Sequence, residues 1–317
     1  MINLVHEYLS HAVYFAPRGR RRLMALGSSI SQRYLDPQDK LIGFIGDAGA
    51  GKSLLIRGMF PGLELTNDDD GINLRPLPLL DDAERGHFRS YTYHLDMRFE
   101  TAFAQPYQLA EAVKKAVDAE HRVVVEHFDL LYPHLNYNAS MLIGIGEEVI
   151  VTRPNIFGPK PQEIADIVFE SLIYRKMAHT AEDMTSFVLR DMGLEEAVEH
   201  DDLVHGFVLE FREKPDIDLV EVERRVKEMI AKDISIHYKD EQHISVGGKE
   251  VRCTGPRLHV TSTNKIENFR LLKEFKWDSI NKFYTIAGLV GPVDEDETSD
   301  YPNQFKFATK ANRRPRT

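Results

Sequence analysis

The sequence has one cysteine, no long hydrophobic run and no excess of positive charge. The lone Cys253 excludes an intramolecular disulfide and is typical of a reducing compartment. No stretch approaches the roughly 20 apolar residues that a membrane span requires, so we predict a cytoplasmic protein with no membrane partner. With 50 acidic against 40 basic residues, the net charge is -10. Non-specific binding to DNA is therefore not expected.

The chain of 317 residues is long enough for about two domains. Strand-like and helix-like segments alternate over residues 1–172, which predicts an α/β fold with a doubly wound, mainly parallel sheet. Over 173–290 helices mix with short strands, which predicts an α+β domain. Residues 291–317 contain few apolar side chains and are predicted to form a flexible tail. The strand-like segments of the first domain are Lys40–Ile45, Tyr91–Met97, Arg122–Phe128 and Glu148–Thr152.

Other segments have less regular patterns. Residues 1–36 have apolar residues at helical spacing and are predicted to be helical. Leu63–Leu65 is predicted to be a short strand, and helices are predicted over Ile164–Met177 and Ala181–Met192. A basic segment interrupts residues 1–36. This segment is predicted to be either a solvated helix start or a contact to phosphate or RNA. Its residues are Arg18, Arg20, Arg21 and Arg22.

Residues 46–53 read GDAGAGKS, a complete P-loop between a predicted strand and a predicted helix. Glycines at this spacing let successive backbone N–H groups point toward phosphates, and the following helix directs its positive dipole end there. Lys52 is predicted to reach the β- and γ-phosphates, and the Ser53 hydroxyl to ligate Mg²⁺. The predicted nucleotide-binding residues are Gly46, Asp47, Ala48, Gly49, Ala50, Gly51, Lys52, Ser53 and Leu54.

Acidic residues decide which phosphate chemistry a P-loop serves. Glu126, at the end of a predicted strand, is placed like the acid that holds Mg²⁺, with Asp129 as the alternative. Asp96 also ends a predicted strand and is interpreted either as a catalytic acid or as a member of a structural ion pair. Phosphate contacts are further predicted for Arg153 and, as lid cations, for Arg175 and Lys176.

The segment TNDDDG at 66–71 lies where small-molecule kinases carry a catalytic base. Asp68 and Asp69 are therefore predicted to be catalytic, together with Lys52 and Glu126. The alternative is an acidic surface turn, because Asn, Asp and Gly also favour turns.

The segment GDAGAGKSLLIRG resembles the P-loop of the bacterial ATPase that assists threonylcarbamoyladenosine modification of tRNA. The later segments YHLD and VVVEHF are loosely similar to the same family. This resemblance implies a role in tRNA biology.

A second resemblance covers about 110 residues of the C-terminal half. HTAEDMTSFVLRDMG at 179–193 is similar to the opening helix of the second additional, or editing, domain of alanyl- and threonyl-tRNA synthetases. Three later segments resemble the same domain in the same order. They are HGFVLEF at 205–211, DLVEVERRVKEMIAKDISI at 218–236 and CTGPRLHVTSTNKIENFRLLKE at 253–274.

The editing-domain resemblance implies a zinc site that hydrolyses wrongly charged aminoacyl-tRNA. Its ligands would be His179, Cys253 and His259, with Asp183 at the position of the family's second histidine. Five residues separate Cys253 from His259, where the family has three. Because residues four apart share one helix face, His179 and Asp183 can still bind one metal ion. The alternative is a domain that has lost its metal and its hydrolysis.

Three functional hypotheses follow. The first is an ATP- and Mg²⁺-binding phosphotransferase or ATPase whose small-molecule, nucleoside or aminoacylated substrate is selected by the C-terminal domain. The second is a metal-dependent aminoacyl-tRNA deacylase with a regulatory ATPase domain, which requires Zn²⁺ or a related ion. The third is a nucleotide-gated binding module for a tRNA-related partner.

Overall fold

The computed structural model of the protein is a mixed α/β structure that divides into two compact units. The described residues are 11–66, 78–194 and 199–292. Of these, unit 1 comprises 11–16 and 20–170, and unit 2 comprises 17–19 and 171–292.

Unit 1 is built on a six-stranded sheet. Its strands are β1 His11–Phe15, β2 Leu41–Ile45, β3 Thr92–Asp96, β4 Arg122–Glu126, β5 Met141–Ile145 and β6 Glu148–Thr152, in the order β1-β6-β5-β2-β4-β3. Strands β3, β4, β2 and β5 are parallel. Strand β6 is antiparallel to β5, and β1 is antiparallel to β6. The sheet is therefore mainly parallel, with two antiparallel strands at one side.

Helices connect these strands. They are α1 Arg20–Tyr34, α2 Lys52–Met59, α3 Pro78–Arg85, α4 Met97–Glu100, α5 Pro106–Asp118 and α6 Phe128–Leu131, followed by a 3₁₀ turn at Tyr132–His134. Helix α5 illustrates the local signals, because Pro106 occupies its first turn and Gln108 Oε1 accepts a hydrogen bond of 2.9 Å from the Gln105 backbone N–H. Proline at this position loses no helical hydrogen bond, since the first N–H groups of a helix have no carbonyl partner.

Strands β2 and β5 form the centre of the sheet. Every residue of both strands is buried, as expected for apolar runs covered on both faces. Packing at Gly43 leaves no room for a side chain, because a Cβ there would lie 2.5 Å from the Phe128 ring. The central strands are thus fixed tightly against their neighbours.

The parallel register brings three strand ends to one edge. Phe44 of β2 and Asp96 of β3 both lie opposite Glu126 of β4. The turn at 46–51 follows β2 directly. Parallel strands present their carboxyl ends together, so this turn, Asp96 and Glu126 lie at the same edge of the sheet.

Helix α7, Pro161–Asp191, begins in unit 1 and continues into unit 2. Unit 2 also contains helix α8, Leu219–Ala231, and a 3₁₀ turn at Thr263–Lys265. Its strands are β7 Glu199–Leu203, β8 Gly206–Phe211, β9 Ile236–Asp240, β10 His243–Val246, β11 Lys249–Arg252, β12 Arg270–Leu271, β13 Lys276–Asp278 and β14 Phe283–Leu289.

Two antiparallel sheets organise unit 2. One has the order β12-β14-β8-β7, with β13 also paired to β14, and the other has the order β11-β10-β9. Alternate residues of β8, Phe207, Leu209 and Phe211, are buried against the apolar stripe of α8, as the two-residue period of a strand requires. Among the described residues, no helix combines the length and the apolar character needed to cross a membrane.

Three local predictions are wrong. His11–Phe15 is a strand rather than a helix, because its β-branched and aromatic residues pair with β6 and Pro17 follows two positions after the strand. Leu63–Leu65 forms no strand, since three residues after the Pro61–Gly62 break have no sheet neighbour to pair with. The two helices predicted over Ile164–Met177 and Ala181–Met192 are one helix, as no proline or glycine separates them.

Candidate functional sites

The P-loop connects β2 to the N-terminus of α2. Gly49 and Gly51 have φ angles of 76° and 105°, which only glycine adopts readily. A Cβ on Gly51 would also lie 2.4 Å from Leu23 Cδ2. These two glycines turn the chain so that the first free N–H groups of the helix lie beside the loop, which is the arrangement that binds anionic phosphate.

Lys52, at the start of α2, is almost completely buried. Its Nζ donates a hydrogen bond of 3.1 Å to the Asp47 carbonyl and lies 3.6 Å from Glu126 Oε2. Burial lowers the pKa of Lys52, although the Glu126 charge acts in the opposite direction. The ammonium group is thus held inside the loop by a carbonyl and a carboxylate.

Glu126 receives several donors at the end of β4. The Ser53 hydroxyl donates to its Oε1 at 2.8 Å, and His94 Nε2 lies 3.3 Å from the same atom. The Thr66 backbone N–H donates to His94 Nδ1 at 3.1 Å, which leaves Nε2–H directed to the carboxylate. Burial alone would raise the pKa of Glu126, but the contacts with His94, Lys52 and Ser53 lower the pKa to about 2.

Asp96 ends β3 and caps helix α4. Its Oδ1 accepts hydrogen bonds from the backbone N–H groups of Arg98, at 2.8 Å, and Phe99, at 3.2 Å. The Arg98 guanidinium in turn lies 3.2 Å from Oδ1 of Asp47 in the P-loop. Asp96 therefore has a structural role as a helix cap, and it lies at the same edge of the sheet as the turn at 46–51.

His127 adds a ring nitrogen to these carboxylates. Ligand atoms of Asp96, Glu126 and His127 all lie within 4.8 Å of one another. His127 is buried, and its backbone has a φ of 57°. Burial, with the positive charges of Lys52 and Arg98, lowers the pKa of His127 to about 3, so the ring is neutral at neutral pH. The sequence predicted His127 to be a surface or satisfied core histidine, because its spacing to the other histidines matches no metal motif.

The second group of residues lies in unit 2. His179 and Asp183 are one turn apart on α7, and Cys253 and His259 follow β11. Ligand atoms of all four lie within 4.8 Å of one another. Cys253 Sγ lies 3.2 Å from Nε2 of both His179 and His259, and His259 Nε2 lies 3.6 Å from Asp183 Oδ2.

This spacing fits a tetrahedral zinc ion. With Zn–N near 2.0 Å and Zn–S near 2.3 Å, ligand atoms lie about 3.3 to 3.6 Å apart. Asp183 Oδ2 is buried and has no hydrogen-bond partner among the described residues, as expected of an atom that binds a cation. The Gly255 N–H donates to Cys253 Sγ at 3.3 Å. The four residues therefore fit zinc as a ligand set.

Outer partners orient the two imidazoles. Thr180 Oγ1, which donates to the Lys176 carbonyl, lies 3.3 Å from His259 Nδ1 and so accepts its proton. Glu182 Oε2 lies 3.5 Å from His179 Nδ1. Both contacts leave the Nε2 atoms facing Cys253, which is the way metal-binding histidines are held in proteins.

The pKa values in this group reflect its mixed charges. Burial alone would lower the pKa of His179, but Asp183, Cys253 and Glu182 together raise the pKa to about 10. Burial raises the pKa of Asp183 to about 6. Burial also lowers the pKa of His259 well below its ordinary value, with the His179 charge adding to the effect. The raised pKa of His179 means that the acidic side chains around it stabilise one positive charge at this site, on the His179 ring.

Glu182 anchors a buried network that sequence reasoning missed. Arg18 Nε lies 2.9 Å from Glu182 Oε2, and His200 Nδ1 lies 2.6 Å from Oε1. Arg18 also lies 3.0 Å from Asp202 Oδ1 and donates to the Asp201 carbonyl at 2.9 Å. The prediction of a solvated or phosphate-contacting Arg18 is therefore wrong, since its guanidinium is buried among carboxylates and carbonyls.

Other predicted residues are placed as follows. Arg153 donates to Asp39 Oδ2 and to the Tyr34 carbonyl, each at 2.7 Å, and Arg175 is 1% exposed and donates to the Pro17 carbonyl at 2.6 Å. The predictions of a phosphate contact for Arg153 and of a lid cation for Arg175 are therefore wrong, because both guanidinium groups form hydrogen bonds within their own unit. Asp68 and Asp69 lie outside the described residues.

Comparisons with known proteins identify no family. No protein-family model matches the chain, and no curated protein matches it. Among solved structures, two of the ornithine aminotransferase from Toxoplasma gondii match with TM-scores of 0.22 and 0.23 and identities of 13% and 11%. They cover 82% and 80% of this chain and 71% and 68% of theirs. Scores of this size carry no conclusion about fold or activity.

Proposed function

We propose that unit 1 binds ATP with Mg²⁺ and transfers or hydrolyses its γ-phosphate. One observation carries the proposal. At the N-terminus of α2, the Ser53 hydroxyl and the Lys52 ammonium both meet Glu126, at 2.8 and 3.6 Å. A hydroxyl, an ammonium group and a carboxylate beside free helix N–H groups are the parts that phosphoryl-transfer sites share.

Each part has a defined role in this proposal. The loop and helix N–H groups bind the phosphate oxygens, and Lys52 exchanges its contact with Glu126 for the β- and γ-phosphates. Ser53 and Glu126 would hold Mg²⁺, which supplies charge neutralisation for the phosphates. His94 fixes the Glu126 carboxylate through its bond to Oε1. The phosphoryl acceptor is water or a substrate hydroxyl.

γ-Labelled ATP tests this function on the full chain. Release of labelled phosphate identifies an ATPase, and label on a metabolite or on tRNA identifies a phosphotransferase. Lys52→Ala should abolish either signal, whereas Lys115→Ala, which changes an exposed lysine of α5 that pairs with Glu111, should not. Turnover that is equal in the two variants would exclude the proposal. Slow turnover with nucleotide-dependent partner binding would favour the binding-module hypothesis instead.

We propose a second candidate function, hydrolysis of an aminoacyl ester in unit 2. It rests on the four ligand atoms of His179, Asp183, Cys253 and His259, which lie within 4.8 Å. These four residues would hold the zinc, which would supply a Lewis acid for a carbonyl or an activated water. Water then adds to the ester carbonyl, the acyl–oxygen bond breaks, and the tRNA hydroxyl leaves with a proton.

Metal analysis and deacylation assays test the second function together. Zinc should bind in a one-to-one ratio, and mischarged alanine or threonine tRNA should lose its amino acid. Cys253→Ala should abolish both results. Deacylation that survives metal removal would exclude a metal-dependent hydrolase, as would a full complement of zinc in the Cys253→Ala protein.

A further inference from the structure

The three ligands at the edge of the unit 1 sheet are not all of the kind that magnesium prefers. Asp96 and Glu126 offer carboxylate oxygens, but His127 offers an imidazole nitrogen within 4.8 Å of both. Mg²⁺ binds oxygen ligands and retains several waters, whereas imidazole is a ligand of transition metals. The chemistry of this edge therefore differs from that of an oxygen-only magnesium site.

The buried His127 side chain neither caps the following helix nor satisfies its Nδ1 atom among the described residues. It is 3% exposed, and its Nδ1 has no hydrogen-bond partner among the residues that the structure describes. The residue precedes the short helix Phe128–Leu131, but its side chain does not cap that helix. A buried ring nitrogen without a partner is costly unless something binds it, and a ring nitrogen of His127 lies within 4.8 Å of a carboxylate oxygen of Asp96 and of Glu126.

The backbone at His127 is also unusual. Its φ of 57° is left-handed, a conformation that non-glycine residues rarely adopt. Strand β4 ends at Glu126, and the left-handed residue immediately after it brings two neighbouring side chains to the same group of ligand atoms. Side chains of consecutive strand residues would otherwise point to opposite faces.

We propose that Asp96, Glu126 and His127 form a divalent transition-metal site, for which Mn²⁺ is the probe. This site deepens the proposed function of unit 1. A role for its metal in nucleotide chemistry rests on that proposed function. Binding of the metal itself requires only these three side chains. A metal held there by protein nitrogen is present before nucleotide arrives, in contrast to Mg²⁺ that enters with the phosphates.

Pulsed EPR of Mn²⁺ tests the site, because it detects ¹⁴N bound to the metal. The full chain first receives one equivalent of Zn²⁺ to occupy the His179 group, and Mn²⁺ is then added without nucleotide. We expect a directly bound nitrogen in the wild type. His127→Asn should remove that signal and weaken Mn²⁺ binding about tenfold or more. Asparagine is chosen because it tolerates left-handed φ values.

His87→Asn is the matched control, since His87 is an exposed histidine of the same unit. It should keep both the nitrogen signal and the Mn²⁺ affinity. A nitrogen signal that persists in His127→Asn overturns the proposal. So does bound Mn²⁺ that shows oxygen ligands only in the wild type, or an absence of Mn²⁺ binding.

Binding of a fluorescent ATP analogue with Mg²⁺ on the same samples separates the two proposals. Analogue binding that depends on Lys52, without a nitrogen signal, would overturn only the metal site. A nitrogen signal that depends on His127, without analogue binding, would support the metal site and exclude the nucleotide function.

Discussion

Ser53 Oγ donates a hydrogen bond of 2.8 Å to Glu126 Oε1, across 73 positions of sequence. Ser53 lies in the first turn of α2, and Glu126 ends the neighbouring strand β4. The parallel pairing of β2 with β4 brings the two together. In the proposed function, the hydroxyl and the carboxylate would both ligate one Mg²⁺ ion.

Ser53→Ala should lower Mg²⁺-dependent turnover about 10- to 100-fold, because a hydrogen bond or ligand to a charged group contributes about 1.5–3 kcal/mol. Ser53→Thr keeps the hydroxyl and should retain most of the activity. A magnesium titration of ATP turnover measures both. Equal magnesium dependence in the alanine and threonine variants would contradict this role for Ser53.

The Ser53–Glu126 relationship also shows what sequence could predict. The GDAGAGKS pattern and the buried β2 and β4 runs are local signals, and they predicted a loop between strand and helix that the structure contains. The sequence predicted Glu126 as an acid at a strand end, but not its hydrogen bond with Ser53. The bond from His94 to Glu126 depends on the pairing of β3 with β4, which no local pattern encodes.

Other features could not be predicted because they depend on distant contacts. Strand β5, Met141–Ile145, was not identified, although all its residues are buried beside β2. Arg18 lies in a basic segment that favours a solvated interpretation, yet it pairs with carboxylates more than 160 positions away. Composition alone cannot distinguish a surface arginine from a buried one whose partners come from another part of the chain.

Glu100 should make unit 1 less stable as pH rises. The carboxyl group is 1% exposed, and burial raises its pKa from 4.5 to about 7. Between these values the folded protein keeps a proton that the unfolded chain has released, so stability falls as pH increases from about 4.5 to 7. The full penalty, about 3 kcal/mol on the scale of 1.36 kcal/mol per unit, is present above pH 7.

Glu100→Gln should therefore raise stability by about 1–3 kcal/mol at pH 8 and change it little at pH 4.5. Urea unfolding followed by circular dichroism at both pH values measures the difference. Fluorescence of the single tryptophan, Trp277, reports on unit 2 and should not change. A stabilisation of equal size at both pH values would show that the Glu100 charge is not the cause.

Arg18 should be essential for the stability of unit 2. Its guanidinium lies 2.9 Å from Glu182 and 3.0 Å from Asp202, and these side chains are at most 8% exposed. Removal of one partner leaves buried charges uncompensated, which typically costs about 3–5 kcal/mol. Arg18→Gln should lower the urea midpoint of Trp277 fluorescence accordingly. Arg21→Gln, at an exposed position of the same segment, should change stability by less than about 0.5 kcal/mol.

Asp183 should bind zinc as the fourth ligand in unit 2. Asp183→Asn removes the carboxylate charge with little change in size, and it should weaken zinc binding about 10- to 100-fold in a chelator competition. Asp191→Asn, at an exposed position of the same helix, should leave zinc affinity unchanged. If both variants bind zinc like the wild type, Asp183 is only a structural acid.

The zinc affinity measured by chelator competition should increase with pH. His179 has a pKa raised to about 10, and a histidine must lose its proton to bind a metal ion through that nitrogen. Zinc therefore displaces a proton at neutral pH. Because zinc must displace this His179 proton, the apparent zinc affinity should rise about tenfold per pH unit between pH 7 and 9. Affinity that is constant over this range would mean that His179 stays protonated and that zinc binds without it.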